Sequence, residues 1–292
     1  MGCWSALTTT TGGAAAEALG AAMEAMDPAP TGVGVFEMED GSGLWEVGGY
    51  FDAPPDRSQL ALLAAAHGAR DFAISELPET GWVARVEREL APVRAGRFFL
   101  YGSHDSGRVP GGVEPLLIEA AMAFGTGHHG TTVGCLEAME ALAAHGPAPA
   151  RVLDVGCGTG VLAMAAARIW PGAAILASDN DAVAIEVAEV NLAANELSGR
   201  IALVCAEGLD APEIAAAAPF DLILANILKE PLLALAAPIA GAAAPGGRVI
   251  ISGLLEEQAD EVAARFAECG LNVSETRTIQ GWSTLCLEKS GG

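Results

Sequence analysis

Val152-Leu153-Asp154-Val155-Gly156-Cys157-Gly158-Thr159-Gly160 joins the end of an apolar run to a cluster of glycines. Arg151 to Val155 is an apolar run that reads as a buried strand. It ends in a glycine-rich turn, and Val161 to Ile169 then reads as a helix. Glycines let a ligand approach the backbone, and the start of the helix offers free N–H groups. A tight turn without a ligand is the alternative. The dinucleotide fingerprint G-x-G-x-x-G needs a third glycine at position 161, which is Val161; the third glycine here is Gly160. A carboxylate at Asp154, just before the loop, opposes a pyrophosphate but suits a ligand with cationic groups. Both features argue against a dehydrogenase. They fit S-adenosylmethionine, which carries a sulfonium and an ammonium and no phosphate.

Outward from this turn, strands and helices alternate. Ala174 to Ala177 reads as a strand, Ala182 to Glu196 as a helix, and Ile201 to Cys205 as a strand. Asp221 to Ala225 follows as a strand, Pro231 to Ile239 as a helix, Arg248 to Ser252 as a strand, and Glu256 to Cys269 as a helix closed by Gly270. Such alternation implies a parallel, doubly wound sheet. Leu271 to Thr278 and Ser283 to Glu288 are joined without a helix, which adds one antiparallel strand.

Ligands of such sheets bind at the carboxyl ends of the strands. Three residue types there can hold one. Asp179 lies at the end of the second strand, near the spacing expected for a ribose-binding acid; Asp181 reads better as the N-cap of the next helix. Asn226 ends the fourth strand in Asp221-Leu222-Ile223-Leu224-Ala225-Asn226-Ile227-Leu228, where an amide can hold a cofactor or an amine, or satisfy loop backbone. Ahead of the sheet stands Ala123-Phe124-Gly125-Thr126-Gly127-His128-His129-Gly130-Thr131-Thr132, which reads as a loop folding against a ligand. Thr132 is a candidate N-cap for a helix running to His145. Adjacent His128 and His129 cannot share a helix face, so no metal site is expected.

The N-terminal part has a different rhythm. Trp4 to Thr9, Gly32 to Glu39, Leu44 to Phe51 and Phe72 to Glu76 read as strands, with a turn at Asp40-Gly41-Ser42-Gly43. Ala14 to Met26 and Ser58 to Gly68 read as helices. The order β-α-β-β-α-β is ferredoxin-like. Between the two parts, Trp82 to Leu90 reads as a helix, Arg97 to Tyr101 as a strand and Ser103 to Gly112 as a loop.

The 292 residues allow two domains, and 51% hydrophobic with 18% charged residues excludes a disordered chain. The formal net charge is −22, and only Lys229 and Lys289 are lysines. So acidic a surface repels nucleic acid and attracts basic partners. The six cysteines are spread without a C-x-x-C, so a disulfide framework or zinc site is not expected and a reducing compartment fits. The N-terminus lacks the pattern of a signal peptide, Ala6 stands where myristoylation needs Ser or Thr, and no apolar run spans a membrane. A cytoplasmic protein is expected.

The glycine loop, AFGTGHHGTT, DLILANIL and GGRVIISGLLEEQADEV, in this order along the chain, resemble the class I S-adenosylmethionine-dependent methyltransferases, and within them the ribosomal protein L-eleven methyltransferases. The resemblance is strongest from about Glu114 to Glu288 and looser through Trp82, Pro92 and Gly96. It implies a Rossmann-like catalytic domain over residues 123–292, a connector over 79–122 and a ferredoxin-like substrate-recognition domain over 1–78. It implies methyl transfer from S-adenosylmethionine to lysine side-chain and N-terminal amines of the large-subunit ribosomal protein, with Thr132, Gly156, Asp179 and Asn226 binding the cofactor. His128 and Gly130 depart from the family's usual Thr and Pro, and Gly130 is expected to loosen the loop. His129 either takes the amine's proton or braces the loop. Transfer to another protein or to a small molecule is the alternative.

Overall fold

The computed structural model describes residues 3–37, 43–51, 53–77, 92–118 and 129–291. The turn at 40–42, the helix expected over 82–90 and the loop 123–128, His128 included, lie outside the described residues. The chain divides into two compact units, Met1–Arg88 and Glu89–Gly292.

The first unit contains β1 (Cys3–Thr11), α1 (Gly13–Glu24), β2 (Gly32–Glu37), β3 (Leu44–Phe51), α2 (Arg57–His67) and β4 (Ala73–Leu77). All pairings are antiparallel, in the order β2-β3-β1-β4. Alternation along β1 and β3 puts Ala6, Val47 and Phe51 into a core with Leu19 and Met23 of α1 and Leu60 of α2. Asp56 caps α2, its carboxylate accepting from the Ser58 and Gln59 N–H groups, and Gly68 ends it in the left-handed conformation. This is the ferredoxin-like arrangement that the element order implied.

The second unit opens with β5 (Val93–Ala95), β6 (Phe98–Tyr101), a 3-10 turn (Ser103–Arg108) and β7 (Glu114–Leu117), which form a three-stranded sheet. Of these strands the sequence showed only β6. Runs of three or four residues carry too little periodicity to read, yet Phe98, Leu100 and Leu116 are buried in one core with Leu136 and Met139. Asn195 fixes β7 by accepting from the Leu117 N–H at 2.9 Å and donating to the Leu117 carbonyl at 2.6 Å.

The large sheet follows. Its elements are α3 (His129–His145), β8 (Arg151–Val155), α4 (Val161–Ile169), β9 (Ala174–Asp179), α5 (Ala182–Ala194), β10 (Ile201–Cys205), α6 (Pro212–Ala217), β11 (Phe220–Asn226), α7 (Lys229–Ala242), β12 (Ala243–Leu255), α8 (Ala259–Glu268), β13 (Leu271–Ile279) and β14 (Trp282–Lys289). The strand order is β10-β9-β8-β11-β12-β14-β13. β14 runs antiparallel to both neighbours, and the strands from β10 to β12 are parallel. Apolar layers cover both faces: Leu136, Met164 and Leu192 lie in one, and Ile214, Leu232 and Phe266 in the other. This explains why β8 and β11 are apolar almost throughout.

The helix read from Glu256 begins at Ala259 after a 3-10 turn over Glu256–Gln258, and two further helix starts differ from the sequence reading by two residues or more. α3 begins at His129, so Thr132 lies inside its first turn and is not the N-cap. α7 begins at Lys229, so Pro231 is its third residue, where the missing N–H breaks no helical hydrogen bond. The helix α6 was not foreseen; at six residues it is too short to show a helical period.

Candidate active site

The parallel strands deliver their carboxyl ends to one edge, and the candidate residues arrive there by strand register. β8 stops at Val155, so Gly156 begins the turn. β9 stops at Asp179 and β11 at Asn226, which stands opposite Ser252 of β12.

The turn is built around the backbone. Gly156, at φ +66°, needs glycine twice over: by conformation, and because a side chain there would run into Cγ2 of Ile227. The Cys157 N–H donates to the Ser178 carbonyl at 2.9 Å, and the Gly160 N–H to the Cys157 carbonyl at 2.8 Å. Asp179 closes the turn from outside. Its Oδ2 accepts from the Gly158 N–H at 2.9 Å and its Oδ1 from the Asp181 N–H at 3.0 Å. One carboxylate thus ties the glycine turn to the start of α5 and keeps lone pairs free for further donors. Asp181 is the N-cap of α5, accepting from the Val183 N–H at 2.8 Å. Asp181 caps the helix as the sequence indicated.

Asp154 lies beneath the turn, 1% exposed. Its Oδ2 accepts from the Ala163 N–H at 3.0 Å, so the carboxylate also holds the first turn of α4. Burial raises its pKa to about 7, against the lowering effect of that hydrogen bond, and the Asp179 charge raises it further. Burial likewise pushes the Cys157 thiol well up, with the Asp154 and Asp179 charges adding to the effect, which makes this cysteine a poor nucleophile.

Asn226 is half-buried, and among the described residues its side chain makes no hydrogen bond. Thr132 is buried in the first turn of α3. That turn lies on the β13–β14 end of the same edge. A side chain at Gly134 would run into Thr284, whose Oγ1 is 3.0 Å from Ser252 Oγ, and Ser252 Oγ donates to the Ser283 carbonyl at 2.8 Å. Ser252 is the strand partner of Asn226, so a buried hydroxyl pair joins the Thr132 helix to the Asn226 strand. Sequence reading missed this pair; its only trace is Ser252-Gly253 following an apolar run.

Gly130 requires a correction. It is buried in α3, and a Cβ there would lie 2.6 Å from the Ile279 carbonyl oxygen and 3.1 Å from the Trp282 ring. This glycine serves close packing, not a loose loop. Among the described residues, no three His, Cys, Asp or Glu side chains converge as a metal site.

The donor set fits S-adenosylmethionine. Open space at Gly158 leaves room beside the turn, Asp179 retains acceptor capacity for hydroxyls, and Asn226 offers an uncommitted amide. A seven-stranded sheet of this order, with an acid after the second strand and an amide after the fourth, defines a class I S-adenosylmethionine-dependent methyltransferase.

Residues 10–290 match the family model described as ribosomal protein L11 methyltransferase (PrmA). The chain is 44% identical over 263 residues to a ribosomal protein L11 methyltransferase of Bradyrhizobium diazoefficiens, covering 89% of this chain and 88% of that one. It is 40% identical over 285 residues to one of Mesorhizobium japonicum, covering 96% and 97%. Among solved structures, the ribosomal protein L11 methylase of Lactobacillus delbrueckii subsp. bulgaricus aligns at a TM-score of 0.57 and 28% identity, over 67% of this chain and 95% of that one. The chain therefore belongs to the ribosomal protein L11 methyltransferase family and is an S-adenosylmethionine-dependent protein methyltransferase.

Proposed function

We propose that this enzyme methylates lysine side-chain amines and the N-terminal amine of ribosomal protein L11 in the cytoplasm. The observation that carries the reading is the convergence of Gly156, Asp179 and Asn226 on one sheet edge, in a chain that matches the family over nearly its whole length. That no helix among the described residues is long and apolar enough to cross a membrane is consistent with it.

When bound, S-adenosylmethionine supplies an electrophilic methyl group on a sulfonium. The protein's part is to position the partners and exclude water. Gly156, Asp179, Thr132 and Asn226 would hold the cofactor: Gly156 through its backbone, Asp179 by accepting from the ribose hydroxyls, and Asn226 by orienting the cofactor or the amine. The lysine must arrive without its proton, and an apolar approach to the edge lowers its pKa from the free value of about 10.4. Leu228, exposed beside Asn226, supplies apolar surface there. His129 lies in the first turn of α3, and no general base is assigned.

The first unit is the substrate-recognition module. Residues 1–78 carry eleven acidic side chains against two arginines and no lysine, which suits a basic ribosomal protein. Mass spectrometry of ribosomal proteins from cells with and without the gene tests the proposal. Methyl groups on ribosomal protein L11 should vanish with the gene; an unchanged L11 mass refutes the assigned substrate.

A further inference from the structure

The glycine turn after β8, the segment after β11 and the end of β12 meet at a single residue, Ile227. Its Cγ2 fills the space that a side chain on Gly156 would need. Its peptide presses on Gly253, where a Cβ would come within 2.7 Å of the Ile227 carbonyl carbon and 3.1 Å of its nitrogen. Gly253, at φ +90°, sits where β12 slips register against β14 between Ile251 and Leu254. The Ile227 N–H donates to the Ser252 carbonyl at 3.2 Å. The residue is only partly buried, packed on the edge of the core below the sheet. Its neighbours on the chain are Asn226 and the exposed Leu228.

We propose that Ile227 is a positioning residue for methyl transfer: seated under Gly156 and against Gly253, it fixes the Asn226 amide relative to the glycine turn. This rests on the reading that Gly156 and Asn226 hold the cofactor. The contact that matters is one branch of a β-branched side chain. A branch at Cβ restricts rotation about χ1, whereas a branch at Cγ swings further out. The role therefore depends on shape rather than on volume.

That dependence yields a discriminating series in the full-length protein. Valine is smaller than isoleucine but keeps Cγ2. Leucine matches isoleucine in volume but lacks Cγ2. Titration calorimetry with S-adenosylhomocysteine should place Ile227→Val within about twofold of the wild type, and Ile227→Leu and Ile227→Ala about tenfold weaker, a difference of about 1.4 kcal/mol. kcat for methyl transfer should follow the same order, with the KM for the protein substrate little changed. Leu271→Ala, buried at the start of β13 and so at the opposite end of the sheet, should lower the melting temperature without weakening the ligand. A binding order that follows volume, with Leu near the wild type and Val weakened, overturns the positioning role. So does unchanged affinity in Ile227→Ala. If the wild type itself fails to bind S-adenosylhomocysteine, the cofactor reading falls and the proposal with it.

Discussion

Asp179 carries two structural hydrogen bonds before any ligand arrives, one to the glycine turn and one to the start of α5. Its loss should therefore cost both the proposed ribose contact and the shape of the turn. Asp179→Ala should weaken S-adenosylmethionine by roughly 1.5–3 kcal/mol, the range for a hydrogen bond to a charged group. Asp181→Ala removes only a helix cap and should affect stability by roughly 1 kcal/mol, with little change in binding. Calorimetric titration separates the two, and equal affinities would sink the assignment of Asp179. Asp154 makes a second prediction at this scale. Its folded pKa, raised to about 7, lies above the ordinary carboxylate value of 3.8. The folded state thus holds the proton more tightly than the unfolded chain, so Asp154 withdraws stability as pH rises from about 4 to 7. Asp154→Asn should flatten that part of the profile in thermal unfolding scans between pH 5 and 7.5. An unaltered profile would show that Asp154 titrates like an exposed carboxylate.

At the scale of elements, the glycine turn and the strands around it were legible because a parallel sheet covered on both faces writes itself as apolar runs between glycines. β8, α4 and β10 fall on the residues that the sequence indicated. The placement of Asp179 and Asn226 at strand ends was readable for the same reason. What was illegible depends on contacts between distant segments. β5 and β7 are strands only because they pair with β6 and close over α3. Gly130 read as a loosening residue, because a sequence does not show the Ile279 carbonyl that lies against it. Gly130→Pro would suit the first turn of a helix by its φ, but its ring would meet that carbonyl. The variant should therefore lose stability by about 1–3 kcal/mol through overpacking, as urea unfolding would show. A stabilised variant would mean that α3 does not rest on the β13–β14 turn as described.

At the scale of the whole molecule, each unit has its own core, and all four cofactor candidates belong to the second. A fragment beginning at Glu89 should fold, bind S-adenosylmethionine and lose most activity on ribosomal protein L11. A fragment as active as the full chain would remove the recognition role from the first unit. The charge of −22 adds a salt dependence. Exposed charges more than about 8–10 Å apart are screened near physiological ionic strength, so the KM for the protein substrate should rise with salt while cofactor affinity holds. On the proposed reading, the edge formed by Gly156, Asp179 and Asn226 moves methyl groups onto ribosomal protein L11. The most direct test of that reading incubates unmethylated L11 with labelled S-adenosylmethionine and either the wild-type enzyme or Asn226→Ala, and counts methyl groups on lysine and N-terminal amines by mass spectrometry. The expected result is multiple methylation by the wild type and its near-complete loss in the variant. An L11 left unlabelled by a wild-type enzyme that binds the cofactor, or labelled equally by both proteins, would contradict it.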